Sequence, residues 1–161
     1  MRILMGRSCT FVLAAFVALA TVAPAGEKEE KVPLDKIPKK VKAAVESWFP
    51  DAKITSAAKE KADEGIVYDI ELTHKGRKYE MDIKADGTVI EIEKEIALKD
   101  VPEAVKNGIT AKHPKATIKE VMEVNKVNGK KLTPDHYEVT LQTADNKMLE
   151  VTVSLDGKTV K

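Results

Sequence analysis

The sequence predicts an α+β protein made of two tandem repeats, each one helix followed by a four-stranded antiparallel meander, joined into one continuous sheet with both helices on one face. Three observations lead there. Shifting the chain by the 64 residues that separate Pro50 from Pro114 lays LDKIPKKVKAAVESWFPDAKI (34 to 54) on LKDVPEAVKNGITAKHPKATI (98 to 118). After each of these stretches the spacing of apolar residues changes from a helical period to strict alternation. An Asp-Gly pair, Asp86-Gly87 and then Asp156-Gly157, precedes the last strand of each copy.

The chain begins with Arg2 and Arg7, an apolar run from about Thr10 to Val22, and Ala23-Pro24-Ala25 before a charged stretch. This order predicts a signal peptide over 1–25 cleaved near Ala25, because the apolar run is shorter than the roughly 20 residues a spanning helix needs. Cys9 lies too early in the run for a lipid anchor, so no stable membrane anchor is expected after cleavage. Residues 26–33, which include GEKEEK, read as a flexible leader. Repeat one then covers 34–97 and repeat two 98–161.

Within the repeats Leu34, Pro38, Val41, Lys42, Pro50, Ala52 and Ile54 meet identical residues, and Ile37 and Val45 meet Val101 and Ile109. Pro38 and Pro102 suit a helix start, where a missing N–H costs nothing. Ile37, Val41, Val45 and Phe49 fall at intervals of four and make one inward stripe, repeated by Val101, Val105, Ile109 and His113. Pro50 and Pro114 stop the helices, since the residue before proline resists the helical region. Trp48 and Phe49 therefore read as the large core-facing end of a helix. Their replacement by Lys112 and His113 predicts a wetter helix end in the second copy.

A weak strand, 54 to 61, comes next, followed by three clearer ones. Tyr68, Ile70 and Leu72, then Tyr79, Met81 and Ile83, then Ile90 and Ile92 form a dry face by alternation. Turn signals at Asp63-Glu64-Gly65, Lys75-Gly76 and Asp86-Gly87 separate them. GIVYDIEL (65 to 72) matches PDHYEVTL (134 to 141) at a shift of 69, so the second copy has gained residues in its hairpins. Its final strand, 159 to 161, is cut short.

A signal peptide, two helix-plus-meander units, Phe-Pro-Asp-Ala at a helix end and Asp-Gly before a last strand together resemble the PepSY-like family of beta-lactamase-inhibitor-like exported proteins, over about residues 32 to 161. The resemblance implies a periplasmic or secreted protein, relatives that inhibit a beta-lactamase or bind a peptidase as its propeptide, and no catalytic residue to carry over. It also implies binding through the open sheet face. In the inhibitor relatives that face is often aromatic, whereas here it is charged or hydroxylic.

The residues themselves point away from catalysis. Without residues 1–25 the 27 basic side chains fall to 25 against 26 acidic, and no cysteine remains, so neither a general pull toward nucleic acid nor disulfide chemistry is expected. Ser47, Ser56 and Ser154 lack a nucleophile setting, and His74, His113 and His136 lack metal-ligand spacing. The reading is therefore no enzyme, no cofactor and no nucleic acid. The alternation sends Asp69, Glu71, Glu80, Asp82, Glu91 and Glu93 to the side opposite the dry face. Three readings of that acidic set stay open at this level. It is a solvated surface relieved by Lys59, Lys78, Lys84 and Lys94, a docking face for a protein partner, or a small-ligand or divalent-cation site made of oxygen ligands. The second reading makes the chain a non-catalytic interaction module that would regulate or inhibit a partner enzyme through its open sheet face. On the same face the second repeat offers Glu138, Thr140, Gln142, Glu150, Thr152 and Ser154 and reads as more neutral.

Overall fold

The computed structural model describes residues 29–62 and 65–161, so the expected signal peptide over 1–25, residues 26–28 of the expected leader and the turn signal Asp63-Glu64 lie outside the described residues. Eight antiparallel strands form one sheet in sequence order. They are β1 (Glu30–Lys31), β2 (Lys53–Ala62), β3 (Gly65–His74), β4 (Arg77–Lys84), β5 (Val89–Glu95), β6 (Thr117–Asn128), β7 (Lys131–Gln142) and β8 (Met148–Ser154). Helix α1 (Lys39–Trp48) precedes β2, and α2 (Glu103–Lys112) joins β5 to β6.

Both helices start directly after their proline and end on a backbone bond, Phe49 N–H to Val45 O at 2.8 Å and His113 N–H to Ile109 O at 2.7 Å. Ile37, Val41 and Val45 are buried against Ile70, Leu72, Met81, Ile83 and Ile92. Val101, Val105 and Ile109 are buried in the same way against Val121, Val139, Leu141, Val151 and Val153. Each such aliphatic side chain contributes on the order of 2 kcal/mol by leaving water. Ile92 stands opposite Asn125 on β6, in phase with Val121, so the two cores lie on one face of one sheet.

Three features depart from the sequence reading. The end of the leader is part of the fold: Glu30 and Lys31 pair with Lys59 and Ala58, and Val32 N–H donates to Ala57 O at 2.8 Å, which satisfies an edge that would otherwise be open. In β5 a bulge shifts the phase, so Val89 pairs with Ile83 and packs on the core where alternation placed Ile90. The first strand of each repeat also carries a bulge, after Ile54 and after Ile118, which breaks alternation at equivalent points and made β2 look weak. The short end of the chain pairs with β8, with Thr152 and Lys161 exchanging two backbone bonds of 3.0 Å.

Candidate functional site

The register of β2 to β6 arranges the acidic residues of the open face in two rows. One runs Ala58, Asp69, Asp82, Glu91, Lys126, and the next runs Ser56, Glu71, Glu80, Glu93, Val124. All six acidic residues singled out from the sequence are thus brought together, side by side across three neighbouring strands. Several are enclosed by their surroundings: Asp69 is 5% exposed, Glu91 7% and Glu93 9%. Like charges facing one another across strands oppose pairing, and burial raises that cost.

The chain supplies part of the compensation. Lys126 bonds Glu91, and Lys78 bridges Glu80 at 2.8 Å and Glu120 at 3.2 Å. Lys84 shares the face through its pairing with Val67. Lys59 and Lys94 do not: they stand opposite Tyr68 and Tyr79, in phase with the helix side, so the relief expected from them is absent. A one-residue error in strand phase moves a side chain to the other face, and the bulge after Ile54 hides that phase in β2. Neither carboxylate oxygen of Asp69 accepts a hydrogen bond, although both are buried.

The second repeat is less neutral than its sequence implies. Glu138 is 5% exposed and acts on Glu93 across the face. His136, also buried, lies between Asp135 (Nδ1 to Oδ2, 2.8 Å) and Glu138 (Nε2 to Oε1, 3.2 Å). Sequence reasoning missed this pair because it saw His136 as an isolated residue, although the His-x-Glu spacing on a strand places both side chains on one face.

The electrostatics follow from burial. Asp69 is pushed up to about 9, first by burial and then by Glu80 and Asp82. Burial followed by Glu138 raises Glu93 to about 10, and burial followed by Glu91 raises Asp82 to about 7. Glu150 rises to about 8 through burial and then Glu138, while Glu80 rises through burial in spite of Lys78. Burial works against the charge of His136, but its bonds to Glu138 and Asp135 outweigh that and hold it above the usual histidine range. Among the described residues no group of three or more His, Asp or Glu side chains is set as the ligands of a metal ion.

Trp48 is only half-buried. It packs against the first core, as expected of a core-facing helix end, and also lines a cleft of about 300 Å³ with Ser47, Thr88 and Lys130. Lys130, at the tip of the β6–β7 hairpin, places Nζ 4.7 Å from the centre of the indole and donates to Ser47 Oγ at 2.8 Å. Phe49 packs on Tyr79 (ring centres 4.5 Å) and His74 (5.6 Å).

The sequence profile of the family described as "Putative beta-lactamase-inhibitor-like, PepSY-like" matches residues 25–91 and 67–161. The chain belongs to the PepSY-like family. Two overlapping matches on one chain agree with the tandem repeat of this PepSY-like protein. Its fold is similar to a DUF2874 family protein of Bacteroides uniformis (18% identity, TM-score 0.57, covering 77% of this chain and 88% of that one). It is also similar to a BLIP-like protein of Bacteroides fragilis (19% identity, TM-score 0.51, 77% and 83% covered). A third similar structure comes from Bacteroides eggerthii and is described among "putative periplasmic proteins" (16% identity, TM-score 0.57, 77% and 87% covered). No curated protein matches this PepSY-like chain. Among the described residues no helix is long and apolar enough to cross a membrane.

Proposed function

We propose that this PepSY-like protein is an exported, non-catalytic binding module that docks a partner protein through the open face of its sheet and thereby regulates or inhibits it. The observation that carries this reading is the enclosed, under-compensated row of carboxylates on β3, β4 and β5. A surface that only needed solubility would keep such charges apart and wet, because buried like charges work against folding. Export is supported by the pattern of residues 1–25 and by relatives described as periplasmic. The inhibitor-like family and the similar BLIP-like structure support a binding role over catalysis.

The test uses the triple variant Glu71→Gln, Glu80→Gln, Asp82→Asn, which keeps shape while removing charge. Its denaturation midpoint is expected to hold or rise, and capture of the native exported partner is expected to fail and to lose its salt dependence. Normal capture by the variant at low salt would mean that the face is a solvated surface only.

A further inference from the structure

The two repeats hold the same buried carboxylate but differ in what answers it. The match of GIVYDIEL to PDHYEVTL pairs Asp69 with Glu138, both on the open face and both 5% exposed. Glu138 finds a donor two residues earlier on its own strand, His136, which Asp135 holds from the other side. The residue two before Asp69 is Val67, which is buried and has no polar side-chain atom. Directly across the strands Asp69 meets Ala58 and Asp82, and neither forms a hydrogen bond with it. Both its oxygens are left without a hydrogen bond, and leaving a buried carboxylate unanswered is among the costliest things a fold can do.

We infer that Asp69, with Asp82 opposite it, is the seat for a cationic side chain of the docked partner, the ammonium of a lysine or the guanidinium of an arginine, which does from outside what His136 does within the second repeat. This rests on the docking reading above. The face already shows how an ammonium fits, because Lys78 bridges carboxylates of two strands and Lys126 closes the row at Glu91. A bare divalent ion fits less well, since no three acidic or histidine side chains are set to ligate one among the described residues.

The charged groups facing Asp69 come from every element around it: Glu29 and Lys31 at β1, Glu60 on β2, Glu71 on its own strand, and Glu80, Asp82 and Lys84 on β4. Burial and the carboxylates among them keep a proton on Asp69 at neutral pH in the free protein. Seating a cation favours the ionised form, so docking releases that proton.

Titration calorimetry with tetralysine and tetraarginine peptides, run at neutral pH in two buffers of different ionisation enthalpy, reads both binding and proton release. The expected result is saturable binding of at least one peptide with release of about one proton. Asp69→Asn should weaken it about tenfold or more, and Val67→His, which gives Asp69 the internal donor that Glu138 has, should do the same. Val67→Ala and Glu103→Gln, the latter removing an equal charge from exposed α2, should leave it unchanged. Absence of binding, binding without proton release, or full binding by Asp69→Asn overturns the inference. Saturable binding of calcium chloride with no peptide binding also overturns it and assigns the face to a metal ion. If the peptides fail but the triple variant still loses the native partner, the cation seat falls while the docking reading stands.

Discussion

Asp69 and Trp48 show how far a residue's identity is from its role. Alternation puts Asp69 outside, and register then sets it opposite another aspartate under cover of its neighbours. Its folded-state pKa, about 9, lies above the ordinary carboxylate value, so the folded protein holds the proton more tightly than the unfolded chain. The stability this contributes is complete below about pH 4 and is lost as pH rises toward 9. Asp69→Asn should therefore raise the urea midpoint in mildly alkaline buffer, change it little in acid, and flatten the slope between. For Trp48, half-burial reduces the expected loss. Trp48→Ala should cost about 2 kcal/mol, below the roughly 3 to 5 of a fully enclosed ring. A urea midpoint near the larger loss would place the indole in the core proper.

At the scale of elements, the two helices sit on the sheet at different distances. A Cβ on Gly108 of α2 would lie 2.0 Å from Gly157 O, and one on Gly157 would lie 2.1 Å from Ala104 O. The corresponding pair in the first repeat is Ala44 and Gly87, and there a Cβ on Gly87 would stand 3.0 Å from Lys40 O. In sequence Gly108 reads only as a weak point of a helix, a cost of about 1 kcal/mol. In the structure it is what lets α2 rest on the turn after β8. Gly108→Ala, harmless on an exposed helix, should here destabilise by about 3 kcal/mol through overpacking. Ala44→Gly should cost about 1 kcal/mol. Equal and small effects of the two changes in a urea titration would argue against the close contact.

Across the whole molecule several enclosed carboxyls of the open face are shifted in the same direction. Asp82, Glu150, Asp69 and Glu93 have folded-state values of about 7, 8, 9 and 10, all above those of the unfolded chain. His136, also raised, adds stability that is lost in the same direction, as pH climbs past its folded value. The denaturation midpoint should consequently fall steadily from about pH 5 to about pH 9; a midpoint that rises over this range would contradict the enclosed state of these groups. Because the charge of Glu138 helps to raise Glu93 and Glu150, Glu138→Gln with Glu150→Gln should flatten this fall, contrary to the neutrality its half of the sequence implies. The continuous pairing of β5 with β6 makes a further demand. Fragments cut near Lys99 would each carry an unpaired edge and a core of marginal size, so neither should melt cooperatively at the temperature of the intact chain.

Much of this architecture is local and therefore legible in the chain. The helix stripes, the prolines at their ends, the Asp-Gly turns and the repeat itself depend on residues close in sequence, and the order of strands follows because short turns make neighbours of consecutive strands. The six acidic residues could be assigned to one face for the same reason, since alternation is a local property. Bulges at Ile54, Ile118 and Val89 escaped because one extra residue leaves no mark in composition, and with the first of them went the true face of Lys59, whereas Lys94, next to Glu93, falls on the helix side by plain alternation. Depth of burial, the pairing of His136 with Glu138 and the unanswered oxygens of Asp69 were decided only by the tertiary structure. Whether a buried charge has a partner depends on what the register and packing bring within hydrogen-bond distance.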